Sequence, residues 1–327
     1  HPLLVTSTLL NASSFPVDLI VKDNYLFISS SVGGASAIQI YELTENGFPR
    51  FVRNFSLGLA GPVSLVQHGN AMYVREGSAG VDILNVADVN DITNSSSLSI
   101  IDLVDITVHN GYLYTLQESP TNRLKIYSLV NKFAPNLIAD FAIDDDASLL
   151  RVQDGMAFIS YVANATSEPS LRVYDVSNPF APVLRSSLNV GLNTSGVQAI
   201  EVSGRYLYLG RNDGSDGYLH VIDIASSTRP VNVATTTYGS APISDFVANG
   251  KYVIFNEASD LQIVTMGGVD LPSLVAAQAE FGNVMVRGTT DLIDRVTAHG
   301  GLVVGTGGIV STGPLIVDSV ATTTFGA

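Results

Sequence analysis

The strongest constraint on this chain is a strand that keeps returning. "LRVYDV" alternates apolar and polar residues around Val173, as a strand with one buried face does. The pattern recurs in "IQIYEL" at Ile40, "VDILNV" at Ile83, "LKIYSL" at Ile126, "LHVIDI" at Val221, "LQIVTM" at Ile263 and "PLIVDS" at Ile316. The steps between these anchors are 43, 43, 47, 48, 42 and 53 residues. A period of about 40–50 residues filled only by strands and turns points to propeller blades.

Each anchor strand follows a second apolar strand, at 25–29, 71–75, 112–116, 156–160, 206–210, 252–256 and 302–306. A Gly- or Asn-bearing turn, such as His109-Asn110-Gly111 or Asn249-Gly250, comes before each of these, and another short strand before that. These are strands a, b and c of a blade. The near-continuous apolar b strands suit burial between neighbouring blades. Pro49, Pro135, Pro182, Pro230 and Pro272 each stand nine residues past their anchor. Proline fixes φ and cannot donate to a ladder, so it is expected as the first residue of an outer edge strand d.

The last repeat ends at Ala327 before its strand d, and "HPLLVTSTLL" reads like the missing piece. Leu3–Leu10 are therefore expected to pair beside residues 313–320 and close the ring, removing the open edges. The expectation is an all-β, single-domain chain over 1–327. It has seven blades of four antiparallel strands, with residues 1–10 completing the last.

"GMAFISY" followed by "SLRVYDVSNPFAPVL" resembles the LVIVD repeat of secreted and surface proteins of bacteria and archaea. The acidic slot of that repeat holds Glu42, Asp175, Asp223 and Asp318, while Asn85, Ser128 and Thr265 depart from it. The resemblance implies a propeller in an extracellular setting and no particular reaction, since fold is not function.

Composition narrows the partners. Charged residues make up 14% of the chain and the net charge is −14, so no surface could neutralise a row of phosphates, and nucleic acid is excluded as a partner. With no cysteine, disulfides and thiol chemistry are excluded. No apolar run is long enough to span a bilayer. The chain begins at His1 rather than Met, which reads as a processed or trimmed segment. Sequons at Asn11, Asn54, Asn94, Asn164 and Asn193 fit an extracellular glycoprotein.

Motifs of the common hydrolases, metalloproteases and nucleotide-binding proteins are absent. His68, His109 and His299 each fall in an a–b turn, where a solvated side chain is the ordinary reading. The b–c and d–a connections share one face, with Arg75-Glu76, Glu118, Asp144 to Asp146, Asn164, "RNDGSDG" at 211–217 and Glu257 to Asp260. In "RNDGSDG", Asp213 and Asp216 lie between Gly214 and Gly217, an oxygen-rich arrangement open to calcium. No other cofactor is expected.

These features point to a non-enzymatic structural or adhesive module acting outside the cell. Its expected partners are other surface proteins, glycans or copies of itself, including as the subunit of a filament or layer. The alternative is a secreted hydrolase or lyase using loop carboxylates, with Asp144, Asp145, Asp213 and Glu257 as candidates.

Overall fold

The computed structural model describes residues 14–265, apart from short connections at 33–34, 45–48, 59–61, 77–79, 119–120, 144–146, 162–169, 192–196, 214–215, 239–242, 250–251 and 258–259. The chain divides into two compact units, His1–Pro272 and Ser273–Ala327, and every described residue lies in the first. The expected closing strand, the seventh repeat around Ile316 and the single-domain reading over 1–327 therefore reach outside the described residues.

The described strands form six antiparallel sheets in chain order. Blade 1 is β1 (Ser14–Lys22), β2 (Tyr25–Val32), β3 (Ala35–Leu43) and β4 (Pro49–Gly58). Blade 2 is β5 (Pro62–His68), β6 (Ala71–Glu76), β7 (Gly80–Asn85) and β8 (Thr93–Ser99). Blade 3 is β9 (Leu103–His109), β10 (Tyr112–Gln117), β11 (Arg123–Ser128) and β12 (Asn136–Ala142). Blade 4 is β13 (Ala147–Gln153), β14 (Met156–Tyr161), β15 (Leu171–Asp175) and β16 (Val183–Leu188). Blade 5 is β17 (Val197–Ser203), β18 (Tyr206–Asn212), β19 (Gly217–Asp223) and β20 (Val231–Tyr238). Blade 6 is described through β21 (Ile243–Asn249), β22 (Tyr252–Glu257) and β23 (Asp260–Thr265). First strands of consecutive blades lie against one another, β1 on β5 and so on to β17 on β21, which is the arrangement of a propeller around its axis.

Six of the seven anchors sit in third strands as expected, and Ile40, Ile83, Ile126 and Val173 are fully buried. The core is divided into slabs between blades. Each of the five buried clusters draws on two consecutive sheets, the first joining Phe27, Ile38 and Ile40 to Met72, Val74 and Leu84. Strand alternation does the sorting: Met72 and Val74 of β6 face blade 1, while Ala71 and Tyr73 face blade 3. A b strand packed on both faces is apolar over most of its length, with a few small or polar residues such as Ser29, Ser30, Thr115 and Ser160 buried among the apolar ones.

The turns have local causes. The a–b hairpins place Asp23, Gly69, Asn110, Asp154 or Gly204 at positive φ, as two-residue turns of this hand require. At the c–d corner of blade 4, Asp175 Oδ1 accepts from Ser177 N at 2.9 Å and Asn178 Oδ1 from Phe180 N at 3.2 Å. Two consecutive side-chain-capped turns thus explain the "D-V-S-N-P" run. Asn85, a departure from the acidic slot, caps its own corner through Ala87 N at 3.1 Å, because an amide oxygen accepts as a carboxylate does. The prolines need a small correction. Pro49 opens β4, but Pro135, Pro182 and Pro230 stand one residue before their strands. Pro272 lies outside the described residues.

Outer strands also reach the next blade. Arg53 Nη1 donates to Asn90 O at 2.5 Å, Ser96 Oγ to Phe133 O at 2.6 Å and Ser186 Oγ to Ser227 O at 2.7 Å. Each donor occupies the equivalent place in its strand d, so consecutive blades are tied at the rim as well as packed in the slabs.

Candidate functional site

The a strands open with a fixed irregularity. Pairing with strand b slips after Pro16, Pro62, Ala147 and Val197, so one extra residue is accommodated near each strand start. A bulge of this kind re-aims the side chains beside it. The residues just past the slip, Asp18, Ser64, Leu149 and Ala199, line a cavity of about 400 Å3 together with Asp105 at the corresponding place in β9. Arg75 and Arg151 complete its charged lining. The cavity lies where a strands begin and b strands end, at the face of the b–c and d–a connections.

Its charged groups run from blade to blade. Asp18 Oδ1 accepts from Leu19 N and Oδ2 from Leu65 N of blade 2, both at 2.7 Å. Arg75 Nη1 of blade 2 donates to Leu103 O of blade 3 at 3.2 Å. Asp105 of blade 3 repeats the Asp18 arrangement, accepting from its neighbour Ile106 N and from Leu150 N of blade 4, both at 2.8 Å. Arg151 of blade 4 donates to Asp105 Oδ2 at 3.3 Å and pairs through Nε with Glu201 of blade 5 at 3.6 Å. Four consecutive junctions are thus bridged at the axis by charged side chains.

The electrostatics follow from burial. Asp105 is 6% exposed, and burial pushes its carboxyl up against the opposing pull of Arg151, the two N–H donors and Arg75. Burial draws the Arg75 guanidinium down, partly offset by Asp105 and Asp18. Ser64 Oγ and Arg75 Nε are buried without a hydrogen-bond partner among the described residues. They sit on directly paired residues of β5 and β6.

A second titratable feature lies on the b–c hairpin of blade 2. Burial first, then the charge of Asp82 and a hydrogen bond with it, pushes Glu76 up to about 7.

The residues expected from sequence are placed differently. Asp213 Oδ1 accepts from Asp216 N at 2.9 Å and Asp213 N donates to Asp216 O at 3.1 Å, so the pair closes the β18–β19 hairpin. The need for Gly217 is not a turn: a Cβ there would stand 2.1 Å from the Tyr238 ring. Among the described residues no three His, Cys, Asp or Glu gather as a metal group. Asp144 and Asp145 lie outside the described residues, and Glu257 ends β22. Asn54 and Asn94 are exposed on the outer strands β4 and β8, whereas Asn11, Asn164 and Asn193 fall outside the described set. His68 and His109 end β5 and β9 beside their turns, and His299 is not among the described residues.

Sequence reading missed Asp18, Ser64, Asp105, Arg151 and Glu201. Aligning the a strands would have found the first three, because "PVDLI", "PVSLV" and "LVDIT" put a polar residue in one slot. It also missed His220 of β19, which is 2% exposed. His220 Nε2 accepts from Arg211 Nε at 2.9 Å, and burial, with Arg211, lowers its pKa to about 4, so it is a neutral core residue.

Fold and site together define a β-propeller with a polar axial cavity. The chain matches no family model and no curated protein. Solved structures do resemble it. A putative 6-phosphogluconolactonase from Bacteroides uniformis superposes with a TM-score of 0.65 at 13% identity, covering 76% of this chain and 80% of that one. A second, from Bacteroides fragilis, gives 0.63 at 12% identity with the same coverage. Kluyveromyces lactis Hsv2 gives 0.54 at 13% identity over 79% of this chain and 76% of its own. At such identities the likeness establishes the propeller fold alone.

Proposed function

We propose that the chain is a structural and adhesive module of the cell surface, acting by contact and not by catalysis. The outward surface carries this reading. Strands β8, β16 and β20 are exposed along most of their length, hold one charged residue between them (Arg185), and leave Val183, Leu184, Val231 and Val233 open to solvent. At the c–d corners Phe180 is 67% and Val130 98% exposed. Soluble domains usually blunt strand edges with charge, so uncharged edges with apolar side chains suit packing against another surface. The resemblance to LVIVD repeats supports an extracellular setting, where the exposed Asn54 and Asn94 would carry glycans and where calcium at Asp213 and Asp216 would brace a hairpin. Partners would be other surface proteins, glycans or further copies in a filament or layer.

Protease shaving of intact source cells, paired with adhesion of protein-coated beads, tests the reading. Release of peptides from 14–265 and bead attachment are expected. Confinement to the cytosolic fraction with inert beads contradicts it.

Two observations favour a hydrolase as a second reading. Glu76, pushed up to about 7 beside Asp82, has the protonation behaviour of a general acid–base group, and two structural neighbours are putative lactonases. Hydrolysis of 6-phosphogluconolactone that disappears in Glu76→Gln would support it, and no turnover above the spontaneous rate would remove it.

A further inference from the structure

At three junctions the a–b hairpin of one blade faces the c–d corner of the next. Between blades 2 and 3, Tyr73 Oη donates to Lys132 O at 2.8 Å. The Lys132 ammonium lies over the turn, where a Cβ on Gly69 would stand 3.3 Å from Nζ. Between blades 1 and 2, Phe27 takes the place of that tyrosine and lines a cleft of about 340 Å3. There Lys22 of the hairpin pairs with the turn residue Asp23. In both places a lysine of the chain itself brings its ammonium to the a–b turn.

Between blades 4 and 5 neither lysine is present. Gln153 stands where Lys22 does, as the last residue of strand a, and Ser227 stands where Lys132 does, six residues past its anchor. Phe158 takes the tyrosine's place, and a cleft of about 320 Å3 lies beside it, with apolar walls from Met156, Phe158, Ile224 and Ala225. The turn residue is Asp154, exposed at the rim. Its carboxylate accepts from Gln153 Nε2 at 3.2 Å and has no ion-pair partner among the described residues. Arg205, the cation in the lining, is held instead by Asp223 through bonds of 3.0, 3.0 and 2.6 Å.

A lysine side chain matches this cleft. Its four-carbon stem covers apolar walls while its ammonium stays at the wet rim, beside a carboxylate. The net charge of −14 on the whole chain draws cations toward it. We propose that the cleft between blades 4 and 5 receives a lysine side chain of a partner protein, its stem against Phe158 and Met156 and its ammonium paired with Asp154. Lysine is chosen over arginine because both junctions that carry their own cation use lysine, Lys22 and Lys132. The inference rests on the adhesive reading for its biological role, and binding of a lysine probe can be measured apart from that role. A probe of about a dozen heavy atoms at ordinary efficiency binds with Kd on the order of 1 mM.

The test is NMR on the full chain with labelled methionine methyl groups, read at Met156, which lines the cleft. The probe is Nα-acetyl-L-lysine N-methylamide, and the control is its norleucine counterpart, which has the stem without the ammonium. A saturable shift at Met156 is expected with the lysine probe, and a weaker response with norleucine. Asp154→Asn removes the charge but keeps a residue that tolerates the φ of 50° there. It should weaken the lysine probe about threefold, the scale of an exposed ion pair, and leave norleucine unchanged. Phe158→Tyr brings in the hydroxyl that Tyr73 has and should abolish the shift with both probes. The inference is overturned if Met156 does not respond, if norleucine binds as tightly as lysine, or if Asp154→Asn binds lysine as the parent does. A full response in Phe158→Tyr would likewise overturn it, by placing the probe elsewhere. Bead adhesion without a lysine response would sink the inference alone; a lysine response in a protein that never reaches the surface would sink the adhesive reading alone.

Discussion

At the axis, Asp105 of β9 is almost wholly buried and bonded to the next blade, whereas at the rim Asp175 of β15 is bonded within its own blade. Each has an arginine beside it, Arg151 in one case and Arg185 in the other. Burial dominates at the axis and pushes the Asp105 carboxyl up. Hydrogen bonds dominate at the rim, where the Ser177 hydroxyl, Arg185 and Ser177 N–H hold Asp175 down to about 2. The same pair of residue types therefore joins blades in one place and shapes a turn in the other. What differs is whether water can solvate the charge.

The largest effect should come from removing the axial partner. Asp105→Ala leaves Leu150 N–H and Ile106 N–H unpaired and Arg151 without its counter-charge, at a cost of about 3–5 kcal/mol in denaturant unfolding. Asp105→Asn should be milder, because an amide oxygen still accepts from one N–H and burial already disfavours the charge. Equal losses in the two variants would break the distinction between packing of the acceptor and charge.

Much of the fold was legible because its signals are local. Anchors such as Ile126 and Val173 repeat at a period, b strands are apolar on both faces, and the Asp175 and Asn178 corners are written in four consecutive residues. The axial cavity was not legible. Asp18, Ser64 and Asp105 share a strand position, but whether that position faces water or a neighbouring blade depends on packing around the axis. Arg75 and Arg151 come from different kinds of strand, b and a, so no single repeat alignment superposes them. The loop "RNDGSDG" attracted attention for its composition, yet its carboxylate at Asp213 is used to close a hairpin.

An intermediate effect is expected at Glu76, which is neither fully buried nor at the rim. Its folded pKa, about 7, lies above the unfolded value of 4.5. Its contribution is therefore complete below about pH 4.5 and is lost as pH rises through 7. Partial exposure screens the group, so the loss is on the order of 1 kcal/mol. Melting curves from pH 5 to 8 should show this slope in the parent and a flatter one in Glu76→Gln; the same slope in both would show that other groups carry it.

The smallest effect belongs to the rim. Asp175 is depressed, so its contribution is present above about pH 4 and lost as pH falls through 2. Asp175→Ala should cost roughly 0.5–1 kcal/mol, the scale of a turn cap and a solvent-screened ion pair. A loss matching that of Asp105→Ala would erase the contrast between axis and rim.

The central claim is that axial charges are structural ties between blades, and paired double-mutant cycles test it most directly. Asp105 and Arg151 form one cycle, Asp175 and Arg185 the other, each measured by urea unfolding at low and high salt. The account predicts an axial coupling of about 1–3 kcal/mol that persists in high salt, and a rim coupling below about 1 kcal/mol that fades. An axial coupling no larger than the rim coupling, or one that salt removes, would contradict it.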